Sequence, residues 1–263
     1  MVRIQAAKKF KSDMMKKVND HNDPLFRGWV KNVKSLNLSR SNLKRIINRI
    51  LKASNPPDSN EIELLDLEVI EYLTKSYFII YSSYTEAMLL KLLYLPNSYT
   101  PDEVGNILDL KKNNIISAWL RAIDIALNKN TLPVNGVVTK EDCNRKLKSI
   151  TEKYLKEPSL LRNKLVHGQW SVAYNSKLLA IESDTTRKIA EIDYVKIDVW
   201  FQIFNMFADI LTQLIQSPDK GFPSQYYTLI EKIELFAIKS QEWNLKSKKY
   251  ELISKGPIKF LKE

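Results

Sequence analysis

Apolar residues recur at helical spacing along almost the whole chain. Leu43, Ile46, Ile47, Ile50 and Leu51 fall on one face at 100° per residue, with Ser39 or Ser41 placed to cap the run. Val2, Ile4, Phe10, Met14 and Val18 form a rougher stripe among lysines. From position 61 to about 94 there is neither Gly nor Pro, which predicts a single helix of about nine turns. Its apolar density rises after Ser76, so its second half should be buried on several sides. Thr100-Pro101-Asp102-Glu103 combines an N-cap, a proline at N1 and a glutamate at N3, and predicts a helix to about 110. Ile115, Ile116, Trp119, Leu120, Ile123 and Leu127 predict another that begins at Asn113 or Asn114. Thr139-Lys140-Glu141-Asp142 opens the next, to about 156. Pro158 fits N1 of a further helix, and Gly168 fits its C′ position. Residues 193–216 are strongly apolar, Ser217-Pro218-Asp219-Lys220-Gly221-Phe222-Pro223 is a breaker, and an amphipathic helix should run from Ser224 to about 243. One stretch departs from the pattern. In 170–192, Ser171-Val172-Ala173-Tyr174 and Lys188-Ile189-Ala190-Glu191-Ile192 alternate, with Asn175 and Asp184 as turn residues, which predicts a short β-hairpin or extended excursion.

The expected architecture is therefore all-α, a helical bundle with a long central helix. Six glycines in 263 residues agree with a helical rather than a turn-dense β fold. Asn55-Pro56-Pro57-Asp58-Ser59-Asn60 is the clearest boundary, and it divides a basic helical extension (1–55) from the main helical domain (56–240). A basic tail (241–263) follows, its last twenty residues expected to be loosely ordered. No internal repeat is found.

Charge sharpens this division. The formal net charge is +11, and residues 1–55, with fourteen Lys or Arg and three Asp, carry all of it. Such an imbalance points to a polyanion partner, with Lys8, Lys9, Lys11, Lys16 and Lys17 as the contacts. The acidic run at Asp58, Glu61, Glu63, Asp66, Glu68 and Glu71 is an alternative partner for the same lysines. One cysteine, Cys143, excludes an intrachain disulfide, and one cysteine with two histidines makes a zinc site a poor expectation. No cofactor fingerprint, P-loop or G-x-S-x-G is found. Acidic residues show no recurring ligand spacing, so no metal is expected. The leader lacks an apolar h-region, and no uncharged apolar run reaches about 18 residues, so the expectation is a cytoplasmic chain without a membrane span.

The chemistry concentrates in Leu160-Leu161-Arg162-Asn163-Lys164-Leu165-Val166-His167-Gly168. Only two histidines exist, and the other, His21, lies in the lysine-rich leader. An imidazole titrates near pH ~6.5 and trades protons at neutral pH. A guanidinium stays charged and grips phosphate through a two-pronged fork. On a helix Asn163 and His167 share a face, whereas Arg162 is roughly 140° from His167 at 100° per residue. One helix thus does not bring both groups neatly to one phosphate. A second copy crossing antiparallel in a symmetric dimer would place Arg162 of one chain beside His167 of the other. RNA cleavage by the 2′-hydroxyl also needs a base and an acid in opposite protonation states, and one chain offers one suitable histidine.

Arg162-Asn163-Lys164-Leu165-Val166-His167 resembles the Rx4–6H motif of the HEPN superfamily in its R-polar-x-x-x-H form. A fainter likeness lies upstream at 77–93, where Tyr-Ser-Ser-Tyr-Thr-Glu-Ala-Met-Leu-Leu-Lys-Leu-Leu (81–93) is similar to the long helix that precedes the motif in many members. The resemblance implies an all-helical, metal-independent endoribonuclease acting as a toxin or in antiphage and stress defence. It implies a dimeric composite site with Arg162 and His167 catalytic, RNA as substrate, and an antitoxin or sensor protein as further partner. Asn163 would orient the imidazole or contact phosphate, and Lys164 would contact RNA or remain a solvated charge. The alternative is a non-catalytic helical module that holds RNA or a protein in the same basic groove. Arg162 and His167 would then be a salt-bridged arginine and a helix-capping histidine. Glu86 reads as a surface residue, with partnership to Arg162 as the other option. Trp200, Phe201, Phe204 and Phe207 read as core, Trp170 as a cover for the motif helix rather than a base-stacking platform, and Cys143 as inert.

Overall fold

The computed structural model describes residues 23–53, 64–96, 98–129 and 139–255. Among these the chain is all-helical. The helices are α1 (Pro24–Ala53), α2 (Leu64–Leu93), α3 (Pro101–Asn113), α4 (Ile115–Lys129), α5 (Lys140–Thr151), a π-helical turn (Glu152–Lys156), α6 (Glu157–Val166), α7 (Ser183–Ala190), α8 (Tyr194–Gln216), α9 (Gly221–Lys239) and α10 (Leu245–Ser254). The leader lysines and His21, the boundary at 55–60 and the loop at 132–136 lie outside the described residues.

Helix α1 starts where Asp23 accepts the Leu25 N–H at 2.8 Å, with Pro24 in the first turn. Ser39 and Ser41 are therefore interior and not caps: the Ser41 hydroxyl donates back to the Asn37 carbonyl at 2.9 Å. The helix begins earlier than expected because Phe26, Trp29, Val33 and Leu36 extend the inward stripe upstream. It runs antiparallel to α2, since Arg40 reaches Tyr77 and the two lie equally far from the connecting segment. Ile47 and Leu51 are wholly buried in that contact. Helix α2 occupies the centre, and its second half is buried nearly all round, as its composition predicts.

Tyr77, Tyr81 and Tyr84 stand one turn apart on α2 and pack on α8. Tyr81 meets Phe201 edge-on at 4.9 Å between centroids, Tyr77 lies 5.2 Å from Phe201, and Tyr84 lies 5.9 Å from Phe204. Each buried hydroxyl has its own acceptor. Tyr77 donates to Asp198 Oδ1 (2.9 Å), Tyr81 to the Tyr154 carbonyl (2.8 Å) and Tyr84 to Asn205 Oδ1 (3.0 Å). Asp198 is itself buried and also accepts from Lys44 Nζ at 2.6 Å, with Arg40 Nη2 at 3.5 Å. The Arg40 guanidinium lies 4.5 Å over the Phe201 ring. Two cations of α1 thus reach a carboxylate of α8 across the face of α2.

Two segments differ from expectation. The chain does reverse after the motif, but a single antiparallel bridge, Tyr174 to Ile181, marks it, and no strand exists among the described residues. The second arm is instead α7. There Arg187 pairs with Asp184 and Glu191, while Ile189 turns inward, so the alternation at 188–192 equally fits one buried position per helical turn. The tail to Ser254 is ordered rather than loose. Asn244 and Ser247 form a reciprocal cap, and α10 packs on α1 and α8.

Burial by itself pushes the Asp198 carboxyl up. Lys44, the Tyr77 hydroxyl and Arg40 outweigh it and hold the pKa below the ordinary carboxylate range. A depressed folded pKa contributes stability that is complete above the unfolded value and is lost as pH falls through the folded one. Asp198→Asn is expected to cost about 3 kcal/mol at pH 7, the low end of the range for removing one partner of a buried pair, because Lys44 can turn to water. Denaturant unfolding should show that deficit beginning to shrink below pH ~4, where the carboxyl of the unfolded chain protonates, and disappearing only once pH falls through the lower folded pKa. Equal midpoints at pH 7 would contradict the role assigned to Asp198.

Candidate functional site

The motif sits at the end of a helix that continues without a break over residues 140–166. Thr139 caps its start, accepting the Asp142 N–H at 3.1 Å. Pro158 lies in the first turn of α6, one position later than the N1 expected, and α6 follows directly on the π turn instead of starting after a break. It lies in the second position after the π turn, where it offers no N–H to the Tyr154 carbonyl four residues earlier. The Tyr81 hydroxyl of α2 supplies the missing donor to that carbonyl. Leu161 and Leu165 are buried on the inner side, which leaves Leu160, Asn163, Val166 and His167 exposed.

Helix α6 closes as its sequence predicts. Gly168 adopts φ +79° and its N–H donates to the Leu165 carbonyl at 3.1 Å, while the Gln169 N–H reaches the Lys164 carbonyl at 3.0 Å. His167 is the cap residue itself. The Trp170 indole donates to the Leu165 carbonyl at 2.8 Å and covers the helix end, as expected for a packing residue. Lys164 is occupied: its ammonium pairs with Glu182 at 3.1 Å and donates to the Tyr174 carbonyl, which ties the following loop to the motif helix.

Arg162 and His167 do not line the same cavity within a single chain. Arg162 and Asn163 line a cavity of about 330 Å³ between α2, α6 and the α3–α4 junction, and His167 is not among its lining residues. The Arg162 guanidinium spends little of its donor capacity. Nη1 donates to Asn163 Oδ1 at 3.3 Å, and Nη2 lies 3.9 Å from Glu86 Oε2, an ion pair too long to be a hydrogen bond. Its buried Nε has no hydrogen-bond partner among the described residues. Glu86, read as a surface residue, is half-buried and is held by Lys111 Nζ at 2.6 Å as well as by Arg162.

Sequence reasoning missed the far wall of this cavity, which comes from Lys111, Asn113, Asn114 and Trp119. The helix break at Asn113-Asn114 was legible, but nothing local places it opposite Arg162. A second missed feature is the outer stripe of α1. Arg27, Lys31, Lys34, Arg45, Arg49 and Lys52 fall within an arc of about 60° at 100° per residue, on a helix without a single acidic residue. Among the described residues no group of acidic, histidine or cysteine side chains is placed to hold a metal ion, and no helix is long and apolar enough to cross a membrane. No protein-family model, curated protein or solved structure matches the chain.

Tyr81→Phe leaves the buried Tyr154 carbonyl without its side-chain donor, at an expected cost of about 1–3 kcal/mol. Hydrogen exchange should quicken across 152–156 more than in α8. Unchanged protection there would show that the π turn stands without Tyr81.

Proposed function

We propose that the chain is a metal-independent endoribonuclease of the HEPN kind, working as a homodimer in cytoplasmic antiphage or stress defence under an antitoxin or sensor protein. The observation that carries the reading is the division within the motif: His167 stands exposed at the helix cap while Arg162, on the same helix, turns into a cavity wall with donors to spare. A second copy supplies what one chain does not join. Exposed apolar side chains near the motif in the chain suit self-association: Leu160 and Val166 on the motif helix, and Leu178, Leu179 and Ile181 in the loop that Lys164 ties to that helix.

In the proposed reaction one imidazole takes the proton of the RNA 2′-hydroxyl. The 2′-oxygen attacks phosphorus and the bond to the 5′-oxygen breaks. The second imidazole, protonated, gives its proton to that leaving oxygen. The two arginines stabilise the charge gathering on the phosphorane oxygens. The products are a 2′,3′-cyclic phosphate and a 5′-hydroxyl, with no electron transfer. Asn163, already bonded to Arg162, serves to aim the guanidinium rather than the imidazole. The α1 stripe supports a second reading, a helical module that holds RNA without cutting it.

Purified protein in excess EDTA should cut RNA, structured tRNA-like substrates included, and leave cyclic-phosphate ends. His167→Ala should lower the rate at least about 10²-fold with RNA affinity nearly intact, since general acid–base groups act on the chemical step. Recovery only with Mg²⁺ would reject the acid–base mechanism. If wild type binds RNA but cuts none, the binding module takes its place.

A further inference from the structure

The outer stripe of α1 is a surface that neither the core nor the motif uses. Arg27, Lys31, Lys34, Arg45, Arg49 and Lys52 follow one line for about 37 Å at 1.5 Å per residue. Lys31, Lys34, Arg45 and Arg49 are exposed and form no ion pair among the described residues; Arg45 donates to a neutral group, Asn42 Oδ1, at 2.9 Å. Arg45 and Arg49 stand one turn apart, where like charges repel, and the helix has no acidic residue to relieve them. A polyanion laid along the row would. Charge alone does not choose among polyanions, but the residues between the cations do. Leu38 falls at the centre of the same arc, between Lys34 and Arg45, and is 63% exposed. Ile46, also exposed, lies at its edge. No aromatic residue stands on the stripe, because Phe26 and Trp29 pack on the core, so it offers RNA bases no stacking platform. A straight row also meets a plane along its whole length, whereas an A-form duplex curves away from it. The sequence that runs into α1 mixes the same two chemistries, with Phe10, Met14 and Val18 at helical spacing among lysines. Phosphate backbones have no use for apolar positions set among cations, and the headgroup layer of a bilayer does.

We propose that the outer face of α1 docks on an anionic lipid bilayer, with the helix axis parallel to the membrane plane. The cations lie against the lipid phosphates and carboxylates, and Leu38 enters the headgroup layer. The inner face of α1 stays packed on α2, so the attachment is peripheral and needs no spanning segment. It needs neither Arg162 nor His167.

Flotation of the full chain with two kinds of vesicle tests this: phosphatidylcholine alone, and phosphatidylcholine with about one third phosphatidylserine. At about 0.1 M salt the protein should float with the anionic vesicles and not with the neutral ones. About 1 M salt should release most of it, because the Debye length falls from about 10 Å to about 3 Å. Each cation near an anionic surface strengthens binding about fivefold, so Lys31→Gln, Arg45→Gln and Arg49→Gln together should weaken it about a hundredfold. All three positions are exposed, so the triple variant should keep the wild-type helical spectrum. Leu38→Ser should weaken vesicle binding severalfold and leave RNA binding unchanged, which separates a bilayer from a nucleic-acid partner. His167→Ala should float as wild type does, so the proposal stands or falls apart from the nuclease reading. Equal flotation with both vesicles, flotation with neither, or undiminished flotation of the triple variant or of Leu38→Ser would overturn the proposal. Flotation with neither, joined to RNA binding that the triple variant loses, would assign the stripe to RNA instead.

Discussion

The arrangement of the molecule turns on one buried carboxylate. Asp198 of α8 gathers the Tyr77 hydroxyl of α2 and the Lys44 and Arg40 cations of α1, so three helices meet on its two oxygens. A lone charge at that depth would be prohibitive. Paired and hydrogen-bonded, it fixes which residues of α1 face inward. With Arg40 and Lys44 directed at Asp198, the remaining cations of α1 come to lie together on the outer stripe. A single internal ion pair thereby decides where an external positive surface forms.

The same row of tyrosines reaches the motif. Tyr77 and Tyr84 bond to α8, while Tyr81, between them, turns its hydroxyl to the Tyr154 carbonyl, to which Pro158 offers no N–H. A proline and a π turn weaken a helix interior. Here the weakness is covered from α2, and the last turns to His167 remain helical with Leu161 and Leu165 seated. Arg162 then meets Glu86, which α2 presents little more than a turn beyond Tyr81. Position in the cavity is thus inherited from the register of α2.

Much of the architecture was legible because local chemistry set it. The reciprocal cap at Thr100 and Glu103, the Thr139 cap and the left-handed Gly168 depend on residues within a few positions, and all three occur as read. The aromatic run at 200–207 was legible as core because its spacing leaves no polar side. What failed was decided at longer range. The serines at 39 and 41 are good caps in isolation, but the apolar stripe begins thirteen or more positions earlier and overrides them. At 188–192, alternation and helical spacing coincide over so short a run, and the Arg187 ion pairs favour the helix. Within the site, Arg162 and His167 stood out because histidine is scarce, whereas Lys111 and Trp119 are ordinary helix residues until α4 is laid beside α6.

The proposed sharing of the site between two chains is the point on which the functional reading stands, since within one chain Arg162 lines a cavity that His167 does not. Mixing wild-type chains with increasing amounts of His167→Ala, under conditions where subunits exchange, tests it most directly. If both imidazoles of a two-fold site are needed, mixed dimers are dead. RNA-cutting activity per total protein then falls as the square of the wild-type fraction, to about one quarter in an equal mixture. A linear fall, to about one half, would mean that each chain cuts alone and would contradict the shared site.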